Sequence, residues 1–366
     1  MIDTIAIIGA GNGGKAAAAD LALQGKCVRL FEFSEYAKNI EEIADHHCLR
    51  ASGAVEGEAV LDGVTCDLAG AVDGADAVMV CTQALTHERT ARELAPLVAP
   101  EQVVVLNPGS TGGALHFARV FREAGVAKPP VLVEFSTLTY GCRAKGASVD
   151  VRVKAGRVMY GTLPSSAMGE VGPELEALYP GLVRCATVLE AGLNNANPVI
   201  HPPITILNAA RIEREGAAMF FYRDGVSPAV AALIRALDEE RMALLRALGY
   251  PAQPDPVTSV AQGYAESTDY LECYGQGSGF RDFPSPSTTD HRYLHEDLGI
   301  GLVMFCSLGR LLDVPTPAGE AFVRMGSLMT GVDYFARATR TLESLGLGDL
   351  DIDGLHAYLQ TGEGLC

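Results

Sequence analysis

A doubly wound α/β domain of the nucleotide-binding type followed by an all-α domain is the fold this sequence predicts, and three observations predict it. Short β-branched runs alternate with helix-forming segments through the first half. A glycine-rich turn joins the first such run to the first helix. Beyond about residue 187 the strand signal stops and long amphipathic segments take over. At 366 residues the chain exceeds what one hydrophobic core usually serves. The expected division is therefore 1–187, a dinucleotide-binding domain, and 188–366, a helical domain carrying substrate and catalysis.

The first sixty residues justify the first domain. "TIAIIGAGNGG" is a strand pattern ending in glycines, "GKAAAADLALQG" has helical composition with a closing glycine, and "CVRLFEFS" is the next apolar run. That is a βαβ unit. Gly9, Gly11 and Gly14 fit G-x-G-x-x-G: the first permits the tight turn, the second lets backbone approach a pyrophosphate, the third allows close packing of helix on strand. The helix beginning near Asn12, Gly13 and Gly14 offers amide groups and a positive dipole to the phosphates. Glu32, about twenty residues on, ends the second strand where an acid accepts from adenosine ribose. "EFSE" after it supplies no arginine for a 2′-phosphate, which favours NAD over NADP.

Further strands are expected at 76–84, 102–109 and 129–137, with helical spacing between them, so the sheet is mostly parallel. Loops at the carboxyl ends of such strands line the ligand crevice, which makes Thr82 and Thr111 candidate cofactor contacts. Glu134 near the end of the 129–137 run is a candidate substrate contact, with a plain ion pair as the alternative. "SVDVRVKAGRVMYGTLP" is expected to form a hairpin about Ala155-Gly156, antiparallel at the sheet edge. In the second half, "PITILNAARIEREGAAM", "SPAVAALIRALDEERMALLRALG", "DLGIGLVMFCSLGRLLDV" and "PAGEAFVRMGSLMTGVDYF" read as helices. "ECYGQGSGFRDFPSPSTTDH" reads as a long loop ordered near the site.

Composition removes several function classes. A net charge of −17, acid-rich in both halves, offers no basic face to nucleic acid or to anionic lipid, and no apolar run is long enough to span a bilayer. Nine cysteines without a C-x-x-C pattern, in a chain that opens directly on a strand, predict a reduced, cytoplasmic protein. His46, His47 and Cys48 are adjacent, and three consecutive residues cannot all face one ion from a helix or a strand. No metal site is expected.

The proton-handling residue decides among dehydrogenase types. Families resembling the 6-phosphogluconate, glycerol-3-phosphate and ketopantoate reductases use a lysine of the helical domain to polarise a carbonyl. Here the last lysine is Lys154. The second half offers histidines instead: His201, His291, His295 and His356. His201 stands in "NPVIHPP", four residues after Asn197, so that both share a face if the segment is helical. The surrounding prolines restrict the backbone and fix the direction of the imidazole.

The motifs "NPGSTGGALHF", "STLTYGCR", "NANPVIHP", "RYLHEDLGIGL" and "VPTP", in this order and spacing, resemble the opine dehydrogenase family, which includes octopine, nopaline and N-(1-carboxyethyl)norvaline dehydrogenases. The resemblance runs essentially end to end. It implies NAD(P)H-dependent reductive condensation of an amino acid with a 2-oxo acid such as pyruvate, or the reverse oxidation. By motif it assigns His201 and Asp297 as the catalytic pair, Arg292, five residues before the aspartate, as the carboxylate-binding residue, and Asn197 as the family's asparagine. His291 and His295 flank Arg292 and are alternative proton carriers. Arg292 bracing Glu296 or Asp297 is the alternative to substrate binding. A simple hydroxy-acid dehydrogenase and a non-catalytic NAD-binding sensor are the other functional readings. The partners expected are the two substrates, and a homodimer is an open option.

Overall fold

The computed structural model describes residues 1–364. They divide into two compact units. Unit 1 comprises Met1–Gly109, Gly113–Val188 and Gln360–Gly362; unit 2 comprises Ser110–Gly112 and Leu189–Leu359, with 363–364.

Unit 1 begins with the expected βαβ: β1 (Thr4–Ile8), α1 (Asn12–Leu23) and β2 (Cys27–Phe31). Next come β3 (Cys48–Gly53), β4 (Gly57–Val60), β5 (Gly63–Thr65), α2 (Leu68–Val72), β6 (Ala77–Val80), α3 (His87–Leu94) and β7 (Val103–Leu106). α4 (Gly113–Glu123), β8 (Val131–Phe135), β9 (Tyr140–Lys145), β10 (Ser148–Lys154), β11 (Val158–Leu163), α5 (Met168–Leu178) and β12 (Leu182–Arg184) complete it. The main sheet has the order β12-β11-β8-β7-β6-β1-β2-β5. All its pairings are parallel except β11 with β8. The chain moves outward from β1 in both directions, through β2 on one side and β6 on the other. The switch point of this doubly wound sheet therefore lies between β1 and β6, the position at which such sheets bind ligands. β6 and β7 are buried along their whole length, as strands covered on both faces must be.

A second, four-stranded sheet of order β4-β3-β10-β9 packs on α1. The structure corrects the hairpin expected about Ala155-Gly156. The hairpin is β9–β10, with Lys145 opposite Ser148 around Gly146, which has φ 54. β11 leaves that sheet and enters the main one between β8 and β12. The reason lies in the two patterns: β10 alternates buried and exposed positions, as a strand with one solvated face does, whereas β11 is buried almost throughout. Between them the chain changes sheets.

Unit 2 is helical, and the only strand-like pairing among its described residues is the isolated bridge Phe220–Pro284. Its helices are α6 (Val188–Leu193), which begins at the unit boundary, α7 (Asn197–Leu207), α8 (Ala209–Glu215), α9 (Pro228–Ala247), α10 (Asp255–Gln262) and α11 (Tyr270–Gln276). A π-helical segment (Tyr293–Leu302) continues into α12 (Val303–Leu311), followed by α13 (Pro317–Thr330) and α14 (Ile352–Thr361). α9 starts on a sound signal: Pro228 in the first turn and the Ser227 hydroxyl accepting from Val230 N–H. Inside the unit Asp238 and Arg241 of α9 form a buried ion pair. Tyr270 and Tyr274 of α11 donate to Asp238 and Asp255 at 2.6 Å each. Burial and the Asp238 charge push the Asp255 carboxyl up to about 6. Among the described residues no helix is long and apolar enough to cross a membrane.

Candidate active site

In unit 1 the nucleotide motif forms at the carboxyl end of β1. Gly9 has φ 99, and a Cβ on Gly14 would stand 1.7 Å from the Gly9 carbonyl oxygen, so helix and turn approach more closely than any other residue allows. A Cβ on Gly11 would meet nothing within 4 Å, so this face of the turn is open. No side chain caps α1, which leaves its first amide groups available to phosphate oxygens. Gly13 packs on Leu138, and the Asn12 side chain accepts from Ala144 N–H at 2.8 Å, anchoring the helix start to β9.

Glu32 is buried and accepts from Ala10 N–H (3.1 Å), Phe33 N–H (2.9 Å) and Asn39 Nδ2 (2.9 Å). Its carboxylate is thus fixed in place one residue beyond β2. Thr82 follows β6 and its methyl group lies against Gly9; its buried hydroxyl has no partner among the described residues. An open glycine cradle, an uncapped helix start, a fixed carboxylate and an unpaired hydroxyl at one sheet switch point are the fittings of a dinucleotide. A cavity of about 290 Å³ beside this turn is lined by Gly11, Asn12, Lys15, Lys38, Asn39 and Gly146, among others. Lys15 is buried there and donates to Gly146 O at 2.7 Å, its ammonium pulled below its usual range by burial. Sequence reading missed this lysine pair. It also missed Arg89, which lies over the Phe33 ring but is held by Glu35 and Glu93.

Glu134 is fully buried, and its carboxylate accepts from Ala114 N–H at the start of α4 at 2.9 Å, a charge–dipole contact within unit 1. Thr111 belongs to the Ser110–Gly112 segment of unit 2. Its hydroxyl donates to Gly192 O and accepts from Asn195 Nδ2, both at 3.1 Å.

In unit 2 His201 sits in the second turn of α7, buried, with Pro202 and Pro203 immediately after it. The two prolines remove two helical donors and hold the backbone at their own φ. Asn197 is the first residue of α7, one turn before the histidine and half-buried. The π-helical segment packs against this helix, and a Cβ on Gly301 would stand 2.3 Å from Pro198 Cγ, so glycine is required for the approach. That approach delivers Asp297. Its Oδ2 lies 2.7 Å from His201 Nδ1, with both side chains almost without solvent exposure, at 1% and 4%. The other ring nitrogen, Nε2, is 2.9 Å from the Tyr222 hydroxyl. The network assigns the proton of a neutral ring to Nδ1, donated to the carboxylate, and the lone pair to Nε2, accepting from the phenol.

Burial holds the His201 imidazole below its usual pKa; Asp297 pulls the other way by charge and hydrogen bond, and Arg292 adds to the lowering. The resting ring is neutral, beside an aspartate placed to stabilise the cation when it forms. Arg292 ends just before the π-helical segment. Burial opposes its charge, and Asp297 and Glu296 outweigh burial to hold it above its ordinary range. Its Nη1 is 3.4 Å from Glu296 Oε1, which also accepts from Ser110 Oγ at 3.1 Å. The guanidinium therefore braces Glu296, yet its side chain keeps 35% exposure, enough to present donors to a ligand.

The alternative histidines lie otherwise. His295 has both nitrogens engaged, by Asp290 at 2.6 Å and the Tyr334 hydroxyl at 2.8 Å. His291 is pushed down to about 4 by burial and by Arg292. No group of three or more candidate metal ligands occurs among the described residues. Sequence reasoning missed Tyr222 and Tyr293, whose ring lies on the His201 imidazole at 4.0 Å between centroids. Tyr293 was within reach, being next to Arg292 in a motif already singled out. The expectation of a loop ordered near the site fits its packing, since Phe280 and Phe283 lie against Tyr222.

The chain is similar to known proteins in both halves. Residues 184–330 match the family described as NAD/NADP octopine/nopaline dehydrogenase, alpha-helical domain, and residues 4–112 match the NAD-dependent glycerol-3-phosphate dehydrogenase N-terminus. Among solved structures the fold is shared with octopine dehydrogenase in complex with NADH and agmatine (TM-score 0.78, 19% identity, 98% of each chain). It is shared also with NADP+-bound yersinopine dehydrogenase (TM-score 0.74, 18% identity, 98% of this chain and 97% of that one). An opine dehydrogenase of Arthrobacter sp. (strain 1C) is 34% identical over 98% of this chain and 99% of its own. With that likeness along its whole length, the chain belongs to the opine dehydrogenase family of NAD(P)-dependent oxidoreductases.

Proposed function

We propose that this enzyme joins the α-amino group of an amino acid to a 2-oxo acid such as pyruvate, with His201 and Asp297 carrying the protons and Arg292 holding the oxo acid. The observation that carries the assignment is the buried Asp297–His201 pair, 2.7 Å apart, with a partly exposed guanidinium beside it. A neutral imidazole takes a proton from the incoming ammonium group, which frees the amine to attack the oxo carbon. Asp297 stabilises the imidazolium so formed. The cation then gives its proton to the carbinolamine oxygen, which leaves as water, and a protonated imine (an iminium ion) remains. The Gly9–Gly14 turn, Glu32 and Thr82 would hold the dinucleotide by its pyrophosphate and adenosine ribose, and its nicotinamide would supply the hydride that reduces the protonated imine. Arg292 grips the carboxylate of the oxo acid through its planar fork and fixes the carbonyl relative to His201. Asn197, one turn from the histidine, and Glu134 are assigned to substrate binding, and Thr111 to the cofactor.

The cofactor is NAD(H) in preference to NADP(H), because Glu32 would repel a 2′-phosphate. Octopine dehydrogenase in the comparison binds NADH and yersinopine dehydrogenase NADP+. The same reading puts the enzyme in the cytoplasm, supported by free thiols at all eight described cysteines, and allows a homodimer. NADH oxidation with pyruvate, with and without a panel of amino acids, tests the reaction. Turnover that requires the amine supports the proposal. Equal turnover with pyruvate alone makes the enzyme a hydroxy-acid dehydrogenase.

A further inference from the structure

The His201 imidazole is reached by substrate only past another side chain. Nδ1 is taken by Asp297, Tyr293 lies on one ring face at 4.0 Å, and Phe221 stands edge-on at 5.9 Å. The remaining nitrogen, Nε2, is the one that must exchange protons with the reacting groups, and the Tyr222 hydroxyl already occupies it at 2.9 Å. Either Tyr222 swings away in each cycle or it conducts the proton. Its surroundings decide between these. The Tyr222 ring packs against Phe221 at 5.1 Å, Phe280 at 4.8 Å and Phe283 at 6.3 Å, and Phe221 N–H donates to Phe283 O, locking the segment to the loop that carries both phenylalanines. A swing would break all three ring contacts and expose a buried phenol.

We propose that Tyr222 is a catalytic residue, its hydroxyl relaying protons between His201 Nε2 and the substrate. The relay rests on the reading of His201 as the acid–base group. At water loss the carbinolamine oxygen takes the phenolic proton while the phenol oxygen takes the proton from imidazolium Nε2. One O–H bond forms at the substrate as another breaks at Tyr222; one forms at Tyr222 as the N–H bond breaks. The carbon–oxygen bond cleaves with its electron pair on oxygen, water departs, and phenol and imidazole both end neutral. Deprotonation of the incoming amine runs the same path in the opposite direction. Burial keeps the phenol well above its ordinary range, so it stays protonated between transfers and the two proton shifts are coupled.

The test is single-turnover NADH oxidation by the whole enzyme in H2O/D2O mixtures, for wild type, Tyr222→Phe and His201→Asn. Two protons in flight give wild type a curved dependence on deuterium fraction. Tyr222→Phe should lower the rate by about 10²-fold, on the scale of lost general acid–base catalysis, and make any residual dependence linear, with NADH affinity retained. A wild-type dependence that is linear or absent overturns the relay, as does a Tyr222→Phe rate within about threefold of wild type. If Tyr222→Phe fails to fold, the wild-type curve decides alone. Full activity in His201→Asn sinks the acid–base assignment itself. An inactive His201→Asn beside a normal Tyr222→Phe sinks only the relay.

Discussion

Replacing Asp297 by asparagine removes one charge from the site and almost no volume. The carboxylate lies 2.7 Å from His201 Nδ1 and both side chains are nearly sealed from water, so bulk screening does not discount their interaction. Two unit charges centred about 4 Å apart interact by about 4 kcal/mol at an effective dielectric of about 20. That energy is available only when the imidazole is cationic, as it is while carrying a proton between substrate atoms. At about 1.4 kcal/mol per factor of ten, Asp297→Asn should lower kcat by about 10³, with NADH affinity unchanged. The pH profile gives an independent check. If His201 is the base, as proposed, kcat/KM in the oxidative direction falls as pH drops through its pKa, which burial holds below the usual 6.5. Asp297 raises that pKa; without its charge the acid limb must move to still lower pH. Pre-steady-state and steady-state kinetics across pH, on the variant and the parent, measure both effects. A loss under tenfold, or a limb that moves upward, would refute the reasoning.

Arg292→Lys replaces a planar fork with a point charge and should raise the KM for the oxo acid more than tenfold while leaving that for NADH nearly constant. A change within about twofold would reduce Arg292 to a brace for Glu296. Specificity constants for NADH should exceed those for NADPH by at least tenfold, since Glu32 already holds three donors and carries the wrong sign for a phosphate; parity would mean that Lys38 and Lys15 receive the extra phosphate. His291, held down to about 4 by burial first and Arg292 second, binds its proton more weakly folded than unfolded. Its contribution to stability is therefore complete above about 6.5 and is lost as pH falls towards 4. Thermal melts over that window should show a smaller drop for His291→Gln than for wild type, and equal drops would count against the assignment.

The parts of this fold that were legible are those whose signal is local. The β1–α1 turn announces itself because its three glycines fall within six residues, Gly14 packing directly on the Gly9 carbonyl, and α9 because serine, proline and an apolar period of 3.6 all agree. The second sheet was not legible. β3 pairs with β10 nearly a hundred residues later, and nothing in "CLRASG" names that partner. At β10 and β11 the information was present and misread: "SVDVRVK" alternates and "VMYGTL" does not, so the two cannot share one half-exposed hairpin. Tyr222 was hidden for another reason. It stands in "FFYRDG", where its aromatic neighbours mask a polar role that depends on a helix twenty residues away.

The spacing of Arg292 and Asp297 shows how a site can be readable as a motif and unreadable as geometry. On an α-helix, residues five apart point in directions about 140° different, since each step turns about 100°. An arginine and an aspartate at that spacing ought not to serve one histidine from a single α-helix. The segment from Tyr293 to Leu302 is π-helical, and its i→i+5 pattern brings residues five apart back to one side. Glu296, four residues on, lies within 3.4 Å of the guanidinium as i,i+4 neighbours do, so the arginine is oriented from within its own turn. Such a coil forms fewer favourable contacts along its axis than an α-helix and persists only where neighbours hold it. Here the neighbours are identifiable: Gly301 against Pro198, Gly299 against the Tyr334 ring, and Leu298 against Gly326 of α13. The glycines of "DLGIGL" are therefore part of the geometry of the Asp297–His201 pair although none carries a reactive group, because they admit the packing that keeps Asp297 turned toward His201.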